Sequence, residues 1–201
     1  MEKGSGVSET NETKRRAGVV HNPSKVDTEV LRTALADIES TLGWEPTLWL
    51  ETSVEEPGTS QARQAVAQGV DLVIGAGGDG TIRAVAEGMA GTGVPMGIVP
   101  AGTGNVLARN VGVPLGDLGA QLRLAFTGTP RPVDAAVVQL RRNDGSIDTQ
   151  LSVVMAGMGI DAAMLAETDE DLKKRAGWLA YLKAIVAVLR QHRELTFRYR
   201  I

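Results

Sequence analysis

Short apolar runs and helical repeats of apolar positions take turns along this chain. Ala17 to His21 is a brief apolar stretch ending in Asn22-Pro23-Ser24-Lys25, the composition of a buried strand that feeds a turn. Val30, Leu31, Ala34, Leu35, Ile38 and Leu42 then recur at helical spacing, with Asp27 placed to cap the first turn and Gly43 to end the last. Thr47 to Thr52 predicts a second strand, and a helix capped by Thr59 or Ser60 follows as far as Gly69. The third strand starts at Leu72 and runs into Gly75-Ala76-Gly77-Gly78-Asp79-Gly80, after which Thr81 opens a helix. Pro95 to Pro100 predicts a fourth strand, Ala101-Gly102-Thr103-Gly104-Asn105 a second glycine loop, and Val106 to Asn110 a helical continuation. Strand alternating with helix four times within about ninety residues predicts an α/β fold, a parallel sheet wound on both faces.

Beyond Arg131 the pattern changes. Val133 to Arg141 and Ile147 to Ala156 flank the turn signal Asn143-Asp144-Gly145-Ser146, which predicts paired antiparallel strands and a domain boundary near residue 131. Gly157 to Asp161 leads into helical sequence, strongest over Gly177 to Leu189, whose apolar residues nearly encircle the axis and read as packed core. Leu195, Phe197, Tyr199 and Ile201 alternate with Thr196, Arg198 and Arg200, so the pattern stops in mid-strand, as in a piece of a longer protein. Residues 1–16, polar and without period, are expected to be disordered.

Composition narrows the setting. A net charge of −3 argues against broad nucleic-acid binding. No apolar run reaches the ~18 residues of a membrane span, and the polar start lacks the core of a signal peptide. The absence of cysteine suits a reducing cytoplasm. Charge is uneven, however: residues 172–201 carry eight Lys/Arg against one acid, Glu194, with Trp178 and Tyr181 nearby. A solvated helix face accounts for that, and so does attraction to the anionic inner face of a membrane.

The two glycine loops carry the chemistry. Backbone N–H groups at Gly77, Gly78 and Gly80 can approach an anion that side chains would otherwise block, and the helix that follows adds its positive end. Two such loops on successive parallel strands point to a polyphosphorylated ligand. Gly75 to Gly80 satisfies G-x-G-x-x-G, yet the acid that a dinucleotide site needs some twenty residues on is replaced by Pro100-Ala101-Gly102. No Gly-Lys-Ser/Thr follows either, which excludes the Walker type. Asp79 is the anomaly, because a carboxylate repels phosphate unless a metal bridges them or it receives a hydroxyl hydrogen. Thr103 and Asn105 also read as simple helix caps.

Gly77-Gly78-Asp79-Gly80-Thr81, then Pro100-Ala101-Gly102-Thr103-Gly104-Asn105 and Ala108-Arg109, resemble the diacylglycerol kinase catalytic domain of bacterial lipid kinases, relatives of sphingosine kinases. Asn22-Pro23, Thr52, Gly157 to Ala162 and the Gly177 to Leu182 stretch fit as well. The resemblance implies a NAD kinase/diacylglycerol kinase-like parallel-sheet domain over residues 17–131, then the start of a β-sandwich domain over 132–201. It implies ATP and Mg2+ as cofactors and phosphorylation of a lipid hydroxyl, such as that of diacylglycerol, presented at a membrane surface. Asn22, Thr52, Gly77, Gly78, Asp79, Gly80, Thr81, Gly102, Thr103 and Asn105 would line the nucleotide site. Asp79 would be the catalytic residue near the phosphates, and Asn105 would brace the second loop. Lys25-Val26 and Arg83-Ala84 depart from the family pattern, and the family's acidic base and structural magnesium ligands would fall after Ile201. A NAD kinase-like enzyme and a non-catalytic nucleotide-binding module remain as alternatives. A homo-oligomer stays open.

Overall fold

The computed structural model describes residues 14–155 apart from Asn143. The expectations for residues 1–13 and 156–201, among them the helix at 177–189, its basic surroundings and the final strand, lie outside the described residues. The chain divides into two compact units, Met1–Val154 and Met155–Ile201, and the first of them carries everything below.

Four strands form the central sheet: β1 (Arg16–His21), β2 (Glu45–Glu51), β3 (Leu72–Gly77) and β4 (Met96–Pro100). Their order is β2-β1-β3-β4 and every pairing is parallel. The side-chain period of two sends alternate residues of each strand to opposite faces. Ala17 and Val19 of β1, with Ile74 and Ala76 of β3, pack under α1 (Thr28–Leu42) and α5 (Leu118–Thr127) through Leu31, Leu35, Leu122 and Phe126. Val20 and Val73 pack on the other face under α2 (Thr59–Ala67) and α3 (Asp79–Met89) through Ala62, Ala65, Val85 and Met89. β3 is buried along its whole length because it has a strand on each side and helices on both faces.

Local signals explain the element ends. Asp27 caps α1 by accepting from the Glu29 and Val30 N–H groups, and Gly43 ends it at φ 70°. α2 is capped differently from the expectation, since Gly58 is its N-cap and Thr59 already lies in the first turn. α3 begins two residues earlier than Thr81. α5, which the pattern above does not place, is capped by Asp117 and buries Gln121, Leu122 and Phe126. Beyond it, β5 (Ala136–Arg141) and β6 (Ile147–Ser152) form the expected antiparallel pair.

Candidate functional site

The strands end in register. His21 lies opposite both Glu51 and Ala76, and Gly77 lies opposite Pro100. One further backbone bond past each end extends the ladder: Asn22 N–H to the Ala76 carbonyl at 2.9 Å, Thr52 N–H to that of His21 at 2.9 Å, and Ala101 N–H to that of Gly77 at 2.8 Å. Asn22, Thr52 and both glycine loops therefore leave the sheet at its carboxyl edge, where open α/β sheets hold ligands.

The first loop is open. A Cβ on Gly77 would stand 2.8 Å from that of Thr81, a buried residue, so only glycine lets the chain turn this tightly from β3 into α3. Gly78, the N-cap of α3, has no side chain to offer, and among the described residues no side chain caps in its place. The first-turn amides of a helix have no intrahelical acceptor, so α3 presents N–H groups and the positive end of its dipole at the sheet edge. A Cβ on Gly80 would meet nothing within 4 Å.

Asp79 opens α3 but its carboxylate serves the other loop. Oδ2 accepts the Asn105 N–H at 2.9 Å and Oδ1 accepts the Val106 N–H at 2.6 Å. It thereby caps α4 (Val106–Asn110), whose own N-cap, Asn105, makes no capping bond. The negative charge is taken up by the amides of α4, while those of α3 are left uncapped.

The second loop is closed on itself. Asn105 sits in the left-handed region at φ 50°, a conformation that asparagine tolerates better than most residues. Its Oδ1 accepts the Gly102 N–H at 2.8 Å and its Nδ2 donates to the Gly102 carbonyl at 2.8 Å. Arg109 reaches back from α4, its Nε donating to the Gly104 carbonyl at 2.9 Å. The loops meet through glycine: a Cβ on Gly102 would lie 2.9 Å from the Gly78 Cα, and one on Gly104 would lie 2.8 Å from Asp79 Oδ2. Thr103 is exposed at the tip of this loop.

Around this pair, Asn22 is occupied in its own turn, where Oδ1 accepts the Ser24 N–H at 2.9 Å and the Ser24 hydroxyl at 2.8 Å. Thr52 is buried. Arg83, one of the departures from the family pattern, is paired with Glu87 at 2.9 Å. Among the described residues no group of three or more His, Asp or Glu side chains gathers as a metal site, and Asp79 is the acid that the two loops share.

At the end of β1 lies His21, only 3 % exposed, with its ring edge-on to Trp49 at 5.4 Å between centroids. Among the described residues neither ring nitrogen has a hydrogen-bond partner. Burial pushes its pKa below the ordinary 6.5; the nearby Leu50 carbonyl and Glu51 pull it up, and Arg32 adds to the lowering.

All ten residues expected at the site stand along this one edge. The expectation did not include Arg109 or His21. Arg109 was legible as part of the family motif after the second loop but was given no role there, and His21 ended an apolar run in which one imidazole carries no distinctive signal.

The family model described as the diacylglycerol kinase catalytic domain matches residues 5–138. A "Probable lipid kinase YegS-like" protein of Pseudomonas syringae pv. tomato is 36% identical over 174 residues, 85% of this chain and 52% of that relative. A diacylglycerol kinase of Bacillus subtilis is 30% identical over 172 residues, covering 83% of this chain and 53% of the relative. One of Mycobacterium tuberculosis is 34% identical over 134 residues, or 67% and 42% of the two chains. The chain spans about half the length of the first two of these relatives, 52% and 53%.

Proposed function

The chain belongs to the diacylglycerol kinase catalytic domain family, and on that premise we propose that it binds ATP at its two glycine loops for transfer of the γ-phosphoryl group to a lipid hydroxyl such as that of diacylglycerol. The observation that carries this reading is the contrast at Asp79. Its carboxylate is held on the α4 amides, 2.9 and 2.6 Å away, so the uncapped amides at the start of α3 are free to receive phosphate oxygens.

Phosphoryl transfer asks a protein for placement and charge neutralisation more than for covalent chemistry. The γ-phosphorus exchanges its bond to the β-bridging oxygen for one to the lipid oxygen, ADP leaves, and the hydroxyl proton passes to a base. Gly77, Gly78 and Gly80 would let the triphosphate approach the backbone, and Gly102, Thr103 and Asn105 would form the facing wall. Asn22 and Thr52 would border the nucleotide along the same edge. Mg2+ arriving with ATP would neutralise phosphate charge. Such an ion keeps most of its water and needs only one or two carboxylates besides the phosphates; each Asp79 oxygen, with one N–H accepted, retains an acceptor position for it.

The lipid would meet this site from a membrane surface. Among the described residues no helix is long and apolar enough to cross a bilayer.

Incubation of the chain with Mg2+ and γ-labelled ATP in mixed micelles containing diacylglycerol tests the proposal, with Asp79→Asn as control. Label in the lipid that depends on Asp79 is the expected result once the remaining length of the relatives, where the family's base would fall, is supplied. ATP binding with no lipid labelling, even after the remaining length of the relatives is supplied, would leave a nucleotide-binding module.

A further inference from the structure

We propose that Arg109 is a direct phosphate ligand of this site, its guanidinium fork closing on the polyphosphate of the nucleotide from the α4 side. The inference rests on the nucleotide reading above. It starts from how two opposite charges flank one residue. A Cβ on Gly104 would lie 2.8 Å from Asp79 Oδ2, and Arg109 Nε holds the Gly104 carbonyl at 2.9 Å. A cation and an anion so placed would ordinarily pair, yet no ion pair joins them. Asp79 accepts one N–H at each oxygen, from the Asn105 and Val106 amides. Arg109 spends only Nε, on a neutral carbonyl, and its two Nη groups make no hydrogen bond or ion pair among the described residues.

The anchoring explains why the fork matters. A long exposed side chain normally loses rotamer freedom when it grips a ligand. The Nε bond to Gly104 fixes part of that freedom beforehand and leaves both Nη groups unspent, the end-on pair of N–H groups pointing away from the atom already held. A planar fork of this kind matches two phosphate oxygens at once, which an ammonium does not. The site also needs a cation. A nucleoside triphosphate brings a charge near −4, and backbone amides supply only partial charges. Arg83 is neutralised by Glu87 at 2.9 Å. Lys25 stands in the turn after β1, on a different strand from either glycine loop.

The test uses the full 201-residue chain and calorimetric titration with AMP, ADP and ATP in the presence of Mg2+, comparing wild type with Arg109→Gln and Arg109→Lys. Glutamine keeps a donor for the Gly104 carbonyl and removes the charge; lysine keeps the charge and loses the fork. The expected result is a loss that grows along AMP, ADP and ATP, reaching about tenfold to a hundredfold for ATP in Arg109→Gln, the scale of one charge-assisted contact. Arg109→Lys recovers part of it. Circular dichroism establishes that the variants are folded. A folded Arg109→Gln that binds ATP as wild type does overturns the inference, and so does an equal loss for all three nucleotides, which would mean that Arg109 only braces the loop. A wild-type chain that takes no ATP sinks the nucleotide reading itself, and the inference with it.

Discussion

The two glycine loops follow neighbouring parallel strands and each opens a helix, yet they are built in opposite ways. Among the described residues the first, Gly77 to Gly80, has no side chain closing it, and α3 starts uncapped. The second is tied at every step: Asn105 to Gly102 twice, Arg109 to Gly104, and Asp79 to the amides of Asn105 and Val106. On the proposed reading the difference divides their work. A rigid wall and an open row of donors face the same edge, and the acid that would spoil the donors is held on the wall. Glycine, too, serves two purposes, close contact between the loops at Gly102 and open backbone at Gly80.

Breaking the contact between the loops should have the largest effect. In Gly102→Ala the new methyl would sit 2.9 Å from the Gly78 Cα and 3.0 Å from Asn105 Oδ1. Backbone cannot yield as a flexible side chain does, so a loss of about 1–3 kcal/mol is expected in denaturant unfolding, together with loss of ATP binding. Next comes the tie itself. Asp79→Ala removes the cap of α4 and should cost about 1–2 kcal/mol. Asp79→Asn keeps one acceptor and turns an NH2 toward a backbone N–H, so it should stay folded and melt between wild type and the alanine variant.

These ties show where the sequence was readable and where it was not. α1 was plain because its signals are local: Asp27 caps it, Gly43 ends it, and apolar residues mark one face. The start of α3 was misplaced because Gly-Asp-Gly reads as loop, whereas first-turn positions tolerate both residues and an acid there is favoured by the dipole. α5 was passed over because Gly116 and Gly119 flank its Asp117 cap and imitate a turn. The carboxyl-edge location of the site followed from strand-loop-helix order. The partner of the Asp79 carboxylate did not, since it lies 26 and 27 residues away and meets Asp79 only because β3 and β4 pair.

The open loop offers a smaller, opposite test. A Cβ on Gly80 would meet nothing within 4 Å, so Gly80→Ala should stabilise the chain by about 0.5–1 kcal/mol through the unfolded state. Thermal melts of the Gly80 and Gly102 variants side by side would sharpen the contrast, and a shift in the same direction for both would break it.

The mildest effect is conditional on pH and concerns the end of β1. His21 is buried without a hydrogen-bond partner among the described residues, and its pKa lies below 6.5. Its unfolded form therefore takes up a proton first as pH falls. Stability is unaffected above 6.5 and is lost as pH drops from there through the lowered folded pKa. Melting curves at pH 7.5 and 5.5 should differ less in His21→Leu than in wild type.

The central claim, that the start of α3 receives phosphate while the second loop forms its wall, is tested most directly by amide chemical shifts of the 15N-labelled chain titrated with Mg-ATP. The account predicts the largest changes at the N–H groups of Gly78 to Thr81, with smaller ones at Gly102 to Asn105. Saturable ATP binding that leaves the Gly78 to Thr81 amides unmoved would contradict it.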